Sequence, residues 1–294
     1  MDEQNGGWTL EDIIGDGVIA EWFGDQVENL VLYLNENANF IFEAIKWPIE
    51  QVLNGAESFL IWLPWPIVIL AFVLIGYFKS GWRIATIAGV GFILLRLMGD
   101  KYWELTMTTL SMILTAMIFC IVVGVPLGIL AARNDTFESI LRPILDGMQT
   151  IHPFVYLIPV VMFFGIRKVP GTMATVFFAL PPMIRLTNLG IRQVQHDVIE
   201  AAQAFGSGNI QMLFDVQLPL ALPTIMAGLN QTLMLALSMV VIVALISGGG
   251  LGQEIFAAVS GMQTGRAVVS GFAVLILAIV LDRVSQVKGV GSHA

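Results

Sequence analysis

The chain has 294 residues, of which 56% are hydrophobic and only 12% charged, where a soluble globular domain carries about 25% charged residues. A soluble domain of this size could not hide so much apolar surface, so a soluble enzyme, a secreted disulfide domain and a disordered regulator are excluded and the natural solvent is a bilayer. The net charge of −8 is uneven: residues 1–61 hold twelve acids and one base, Lys46, for a net of −11, and residues 62–294 carry +3.

In chain order, residues 1–16 read as polar, loose chain. Met1-Asp2-Glu3-Gln4 lacks the positive start and apolar stretch of a signal peptide. From Val18 to Leu34 apolar residues recur at helical spacing (Val18, Ile19, Trp22, Phe23, Val27, Leu30, Val31, Leu34). A second amphipathic stretch carries Phe40, Ile41, Ala44, Ile45, Ile49, Val52 and Leu53. Two helices lying at an interface or resting on the membrane domain are expected. Their polar face is acidic, so attraction to anionic lipid is not the anchor. The domain reading is an acidic amphipathic tail over 1–61, a transmembrane domain over 62–288 and a short C-terminal tail over 289–294.

A bilayer core of about 30 Å needs about 20 mostly apolar residues as helix. Seven stretches qualify, at roughly 61–78, 83–98, 105–131, 144–166, 172–190, 222–246 and 267–284. Trp62, Pro64, Trp65 and Pro66 suit a headgroup-level start of the first. Arg96 can snorkel from the end of the second. Gly124, Pro126 and Gly128 predict a kink in the third. Pro153 and Pro159 interrupt the fourth, and Pro181 and Pro182 the fifth. Such breaks leave backbone groups unpaired, which is tolerable only where protein or water covers them, and they favour a transport bundle over a passive anchor. Cys120, the one cysteine, lies in an apolar run and reads as a small buried hydrophobe.

Seven spans put the termini on opposite sides. With the C-terminus inside, eight bases fall on the cytoplasmic side (Lys79, Arg83, Arg133, Arg142, Arg185, Arg192, Arg283, Lys288) and six outside (Lys46, Arg96, Lys101, Arg167, Lys168, Arg266). The count leans toward N-out, C-in. The acidic tail is then external.

A polar segment of about thirty residues, 191–221, separates the fifth and sixth spans, and a loop that long in a membrane bundle usually has a task. It reads as a helix ending at Gly206, a turn, a short second helix capped by Asn209 and a stop at Pro219. Its pattern is Glu200-Ala201-Ala202, three residues, Gly206, nine residues, then Val216-Gln217-Leu218-Pro219. This resembles the EAA loop of ABC importer permeases, with valine where isoleucine is usual. The resemblance implies that Glu200, Ala201, Ala202, Gly206, Val216, Leu218 and Pro219 belong to coupling helices that dock on a cytoplasmic ATPase. Ala201, Ala202 and Gly206 are small enough to allow close approach.

The resemblance extends to Gln149-Thr150-Ile151-His152-Pro153-Phe154-Val155-Tyr156, to Phe178-Ala179-Leu180-Pro181-Pro182-Met183-Ile184-Arg185, to Met226-Ala227-Gly228-Leu229-Asn230-Gln231-Thr232 and to Ala236-Leu237-Ser238-Met239-Val240-Val241. These segments look like the permeases of glycine betaine/proline betaine importers, from about residue 100 to 287. Permeases for choline, carnitine and other quaternary ammonium solutes share much of this, and a sulfonium analogue remains open as cargo. The implied fold is an all-α polytopic bundle of the type I ABC importer kind. The implied partners are a separate ATPase, an external binding protein, a second permease copy and membrane lipid, with no nucleic acid. The implied location is the bacterial inner membrane. Phe154, Tyr156, Asn230 and Ser238 are candidate path residues.

The chain itself is expected to be a transport subunit, not an enzyme, and to bind no cofactor. Gly248-Gly249-Gly250-Leu251-Gly252 lacks the Lys-Ser/Thr of a phosphate loop, so ATP and magnesium belong to the partner. Few ionisable groups lie mid-span, which disfavours a proton or sodium relay. Trp103, Phe154, Tyr156, Phe163, Phe164, Phe177 and Phe178 could in principle cage a quaternary ammonium. Packing is the plainer role for such residues, and affinity is expected in the external binding protein. A stand-alone carrier and a membrane receptor using the acidic tail are the competing classes.

Overall fold

The computed structural model describes residues 18–246 and 248–285, and all of its regular elements are helical. The first is α1 (Val18–Trp62). Two amphipathic helices were expected here, and one continuous helix of 45 residues is found, running through Pro48. Its two parts differ. Trp22, Leu30 and Phe40 are exposed, whereas Ile49 and Leu53 are buried. Residues 1–17 and 286–294, including the C-terminal tail, lie outside the described residues.

Next comes a hairpin of α2 (Trp65–Ser80) and α3 (Trp82–Leu97), each of 16 residues. At 1.5 Å per residue each is about 24 Å long, a turn short of the hydrocarbon core. Trp62, Trp65 and Trp82 stand exposed at its ends, the depth that suits indole rings. Then follow α4 (Asp100–Arg133), α5 (Asp135–Thr150), α6 (Pro153–Phe164) and α7 (Lys168–Arg192). Beyond the polar loop, α9 (Leu218–Val243), α10 (Gly250–Ser260) and α11 (Thr264–Ser285) complete the bundle. The loop's own helix, α8 (His196–Ala204), is described below.

Among the described residues, four helical runs are long and apolar enough to cross a membrane: Asp100–Arg133, Lys168–Arg192, Asn209–Ile246 and Thr264–Ser285. Two bent pairs qualify jointly, Phe42–Trp62 with Trp65–Lys79 at 109° and Asp135–Thr150 with Pro153–Phe164 at 100°, which gives up to six spans. The expected fourth span, 144–166, is therefore not a single rod. His152 precedes Pro153, and a residue before proline is driven out of the α region. Its ψ of 138° is extended, so the chain turns there. The stretch at 83–98 forms a helix but falls short by length.

The expected kink region of the third span lies within one continuous helix of 34 residues that contains Pro126. Gly124 and Gly128 serve packing. A β-carbon on Gly128 would lie 2.6 Å from Thr187 Cβ and 2.8 Å from the Ile184 carbonyl oxygen. A β-carbon on Gly228 would lie 2.9 Å from Leu186 Cβ. Small residues thus seat α4 and α9 on either side of α7, the most enclosed helix, with backbones close enough for van der Waals packing to replace the missing hydrophobic drive in lipid.

Three apolar clusters fill the bundle. One joins Phe92 and Leu95 of α3 to Met107 and Leu110 of α4 and Leu277 of α11. A second joins Ile49 and Leu53 of α1 to Met112, Leu157, Met173, Met239 and Val243. The third, at the loop end, joins Met183, Ile191, Leu213, Ala221 and Ile225.

Two carboxylates, a buried one at Glu254 and a partly buried one at Glu57, tie helices together at the end away from the loop. Glu57 of α1 accepts from Thr108 Oγ1 of α4 at 2.7 Å and from Lys168 Nζ of α7 at 2.6 Å. Glu254 of α10 accepts from Lys101 Nζ of α4 and Arg266 Nε of α11, both at 2.6 Å. The hydrogen bond from Arg266 holds the Glu254 carboxyl below its ordinary range, with Lys101 adding to it and burial opposing. The glycine run before α10 is a turn pressed onto α4. Gly249 and Gly250 have positive φ, and Leu251 N donates to Thr109 Oγ1 at 2.8 Å.

Candidate coupling site

The polar loop begins where α7 ends at Arg192. After Gln195 the chain forms α8, nine residues with no buried side chain among them. His196 opens the helix, its Nδ1 3.1 Å from Glu200 Oε1 one turn on, and both side chains are exposed. The helix stops at Ala204, and Gly206 takes φ 84°. This is the left-handed end that the sequence required, open to glycine without strain.

The next turn corrects one expectation. Asn209 does not cap it. Gly208 precedes a single helical turn, Asn209–Gln211, and its N–H donates to Gln211 Oε1 at 3.1 Å. Asn209 instead accepts on its carbonyl from Arg133 Nη2 at 2.8 Å. Pro219 is not a stop either. The chain passes from that turn through a π-helical segment, Met212–Gln217, straight into α9. Pro219 has no N–H to give, so the ladder widens just before it, and Leu218 N bonds to Leu213 O, five residues back. Proline is tolerated in the first turn of the new helix for the same reason.

The predicted residues gather on this one hairpin. Glu200, Ala201, Gly206 and Pro219 are exposed, and Ala202, Val216 and Leu218 are half-buried. Met212 and Leu213 are the buried root. Three exposed apolar residues escaped the sequence reading: Phe205, which is 93% exposed, Ile210 and Phe214. Their signal was present as lone large hydrophobes in a polar loop. Asp197, Glu200 and Asp215 are the charged residues here, with no Lys or Arg between Arg192 and Arg266. The exposed surface of the hairpin therefore carries apolar Phe205, Ile210 and Phe214 and only acidic charge.

Two arginines bind this hairpin to the bundle. Arg133 holds its far arm through Asn209. Arg192, at the near arm, donates to the Ala131 carbonyl at 2.8 Å, to Asp135 Oδ1 at 2.6 Å and through Nε to Asn188 Oδ1 at 2.9 Å, and lies 3.1 Å from Glu138 Oε2. Arg185 bonds Asp146 at 2.5 Å. These pairs line a cavity of about 560 Å³ between α5 and α7. The hairpin is thus tied to α4, α5 and α7 together.

The candidate path residues are not gathered. Phe154 stacks on His152, with ring centroids 5.0 Å apart. Asn230 accepts from Ser285 of α11 at 2.7 Å, a tie between helices. Ser238 is exposed on α9 and donates to its own Met234 carbonyl. The Tyr156 side chain lies outside the described residues. Of the aromatic set, Phe163 and Phe164 pack against Phe42 of α1. With Phe177 they wall an apolar cavity of about 310 Å³. Trp103 sits elsewhere, edge-on to Phe92.

Comparison with known proteins matches this arrangement. Residues 124–287 match the family described as the binding-protein-dependent transport system inner membrane component. The chain is 50% identical over 254 residues to the glycine betaine/proline betaine transport system permease protein ProW of Escherichia coli, covering 86% of this chain and 71% of that one. It is 45% identical over 262 residues to the glycine betaine transport system permease protein OpuAB of Bacillus subtilis, covering 89% and 92%. An inward-facing structure of the MetNI methionine ABC transporter shares the fold at TM-score 0.52 and 21% identity, over 60% of this chain and 91% of its own. The match includes the whole of the hairpin from α7 to α9, and the chain belongs to the inner-membrane permease components of binding-protein-dependent transport systems.

Proposed function

We propose that the chain forms the membrane path of an ATP-driven importer for glycine betaine and proline betaine, and that the hairpin between α7 and α9 receives the stroke of a separate ATPase. One observation carries this reading: the Glu200-Ala201-Ala202…Gly206…Leu218-Pro219 pattern folds as an exposed hairpin, in a chain half identical to a permease for those solutes. A surface with an exposed phenylalanine tip and only acidic charge fits a groove that is apolar at its base and basic at its rim.

In this reading ATP closes the ATPase pair, and the hairpin moves with it. Arg133 and Arg192 hand the displacement to α4, α5 and α7, which rock to open the path outward; hydrolysis reverses the motion. Shifting a two-state bundle from 1:99 to 99:1 takes about 5.5 kcal/mol of differential binding, more than one hairpin contact supplies. Two permease copies on two ATPases fit that requirement. An external binding protein brings the solute. The hairpin end is the cytoplasmic end, where Arg133, Arg142, Arg185 and Arg192 cluster, as the positive-inside rule asks. The N-terminal segment then lies outside, with α1 bracing the outer end of the bundle through Leu53 and Glu57.

The test is reconstitution with the ATPase and binding protein in proteoliposomes, reading binding-protein-dependent ATP hydrolysis across a panel of betaines, choline, carnitine and sulfonium solutes. Stimulation by glycine betaine and proline betaine is expected. Stimulation by choline or carnitine alone would reassign the cargo. Solute flux without ATPase would replace the reading with a stand-alone carrier.

A further inference from the structure

The cavity of about 310 Å³ between α1, α6 and α7 has no part in the coupling hairpin. Phe42 and Ile45 of α1, Pro159, Phe163 and Phe164 of α6 and Phe177 of α7 wall it, and every described residue around it is apolar. Its wall is built by ring packing. Phe42 stacks on Phe163 with centroids 4.3 Å apart and meets Phe164 edge-on at 5.7 Å. The cavity is not sealed, since Ile45 is 47% and Phe177 46% exposed.

The chemistry of the wall selects the occupant. Water is a poor one, because a cavity without polar groups stays dry. A zwitterionic solute is worse. Its carboxylate would lie against a wall with no donor, and the stacked faces of Phe42 and Phe163 are turned to each other instead of to a cation. Hydrocarbon fits. An apolar cavity of about 150 Å³ takes up benzene, and this one has about twice that volume, enough for a run of methylenes.

Depth and charge point to the source of that hydrocarbon. At about 1.5 Å per residue, Met173 and Phe177 on the wall stand about 8 and about 14 Å along α7 from Lys168. The polar layer of a leaflet is about 5–7 Å deep. With the first turn of α7 among the headgroups, the wall begins where acyl chains begin. Arg167 directly precedes α7, three residues past Phe164. Its side chain is exposed, and no hydrogen bond or ion pair from it is found among the described residues. The neighbouring bases are taken: Lys168 by Glu57 at 2.6 Å, and Lys46, beside Ile45, by Glu43 at 3.3 Å. A guanidinium is left at headgroup depth, and its fork matches a phosphate.

We propose that this cavity is a phospholipid site: it holds one acyl chain from the leaflet at the end away from the hairpin, and Arg167 binds the phosphate of the same lipid. The chain wedges between α1, α6 and α7 and completes the packing that seats α1 on the bundle. The site goes beyond the permease reading and does not depend on the cargo.

The experiment is photolabelling of the complete complex in vesicles of phosphatidylethanolamine and phosphatidylglycerol, with a trace of phosphatidylglycerol carrying a diazirine in one acyl chain. Labelled positions are mapped by mass spectrometry. Label is expected on Phe163, Phe164 or Phe177 and should persist after fusion with an excess of unlabelled vesicles. Label on Ile118 of α4 and Phe272 of α11, both exposed on the flanks of the bundle, should fall with that dilution. Ile45→Trp fills the mouth and should lower cavity labelling by about tenfold or more. Arg167→Gln should lower it about twofold to fivefold, and, being a change at an exposed side chain, keeps the test open if the tryptophan unseats α1. Both variants should leave label on Ile118 unchanged. A diacylglycerol with the same diazirine, which lacks the phosphate, should label the cavity less than the phospholipid does. Cavity label that dilutes as fast as label on Ile118, that survives both variants, or that is equal from the diacylglycerol would overturn the proposal. So would displacement of the label by glycine betaine, which would make the cavity a solute pocket. A complex that takes up no solute with ATP would defeat the permease reading instead, whatever the labelling shows.

Discussion

The two ends of the bundle hold themselves together by opposite means. At the end away from the hairpin, proposed above as the outer end, Glu57 and Glu254 are nearly enclosed, and each is gripped by groups from two other helices. At the hairpin end, α8 buries nothing, Phe205 stands almost wholly in solvent, and the arginine pairs that root the loop are half-exposed. Burial strengthens an ion pair's hold on geometry, because breaking it strands a charge away from water. Exposure leaves a contact cheap to rearrange. The end away from the hairpin is therefore built to stay put, and the hairpin end rearranges at small cost, as the proposed coupling role requires.

The sharpest way to break this contrast is at Gly206. Its φ of 84° is closed to proline, whose φ is fixed near −65°. Gly206→Pro should leave the bundle inserted and its melting temperature nearly unchanged, because no buried residue of the core depends on α8. ATP-driven uptake should fall by about tenfold or more, the equivalent of at least 1.4 kcal/mol lost from the stroke. Phe205→Ala acts at the same place more mildly: ATPase co-purification should weaken while the melting temperature holds. Normal uptake with Gly206→Pro in the reconstituted complex would remove the coupling role from this hairpin.

The outer end answers in the opposite currency, stability. Leu53 is fully buried among α4, α6, α7 and α9, so Leu53→Ala should cost about 2–5 kcal/mol and show as a lower melting temperature. Solute affinity, measured on the binding protein, should not change. Truncation sharpens the point. Removing residues 1–36 takes away the exposed part of α1 and should leave thermal stability alone, whereas removing 1–57 takes Ile49, Leu53 and Glu57 and should lower it. Equal stability after both truncations would refute the brace.

The sequence made the hairpin legible because its constraints are local. The glycine that ends α8 is read from spacing alone, whereas Pro219, expected as a stop, opens α9 instead, because a proline is equally at home in a helix's first turn. The span count was less legible, because apolar length does not reveal a bend. Residues 144–166 are continuous in hydropathy, yet extended backbone at His152 turns the chain by 100° between α5 and α6. The substrate-path residues were the least legible. Asn230 and Ser238 lie eight residues apart on one helix and face different neighbours, one toward Ser285 and the other outward, a distinction that only the packed bundle supplies. The Arg192 network and the Glu57–Lys168 pair were beyond reach for the same reason, since their partners are 57 and 111 residues apart in sequence.

Acid gives a graded test of the outer end. Glu254 has its carboxyl held below its ordinary value of 4.5 by Arg266 first and Lys101 second. A depressed carboxylate stabilises the fold fully above its unfolded-state value, and that contribution is lost as pH falls through that value toward the lower folded one. The melting temperature should thus be flat near neutrality and decline as the solution is acidified below about 4.5. Glu254→Gln should flatten this acid limb. At neutral pH it should also lower stability by about 1–3 kcal/mol, less than a fully buried pair would lose because Lys101 and Arg266 are each at least 40% exposed. An acid limb that survives Glu254→Gln unchanged would assign it to other carboxylates.

The smallest expected effect is also the finest probe of the contrast, because it sets two single contacts side by side. Thr108 donates one hydrogen bond to Glu57 in the enclosed outer end. Thr108→Val keeps the shape and removes the donor, so the Glu57 carboxylate is left with Lys168, and stability should fall by about 1–2 kcal/mol. His196 makes one contact of similar length to Glu200 at the hairpin end, where both side chains are more than half exposed. His196→Ala should move stability by no more than about 0.5 kcal/mol, since water replaces the lost partner at once. Paired melting curves of these two variants decide whether burial or the mere presence of a contact sets what each end can withstand. If His196→Ala destabilises as much as Thr108→Val, the hairpin is part of the bundle's own framework, and its freedom to follow an ATPase would have to come from elsewhere in the chain.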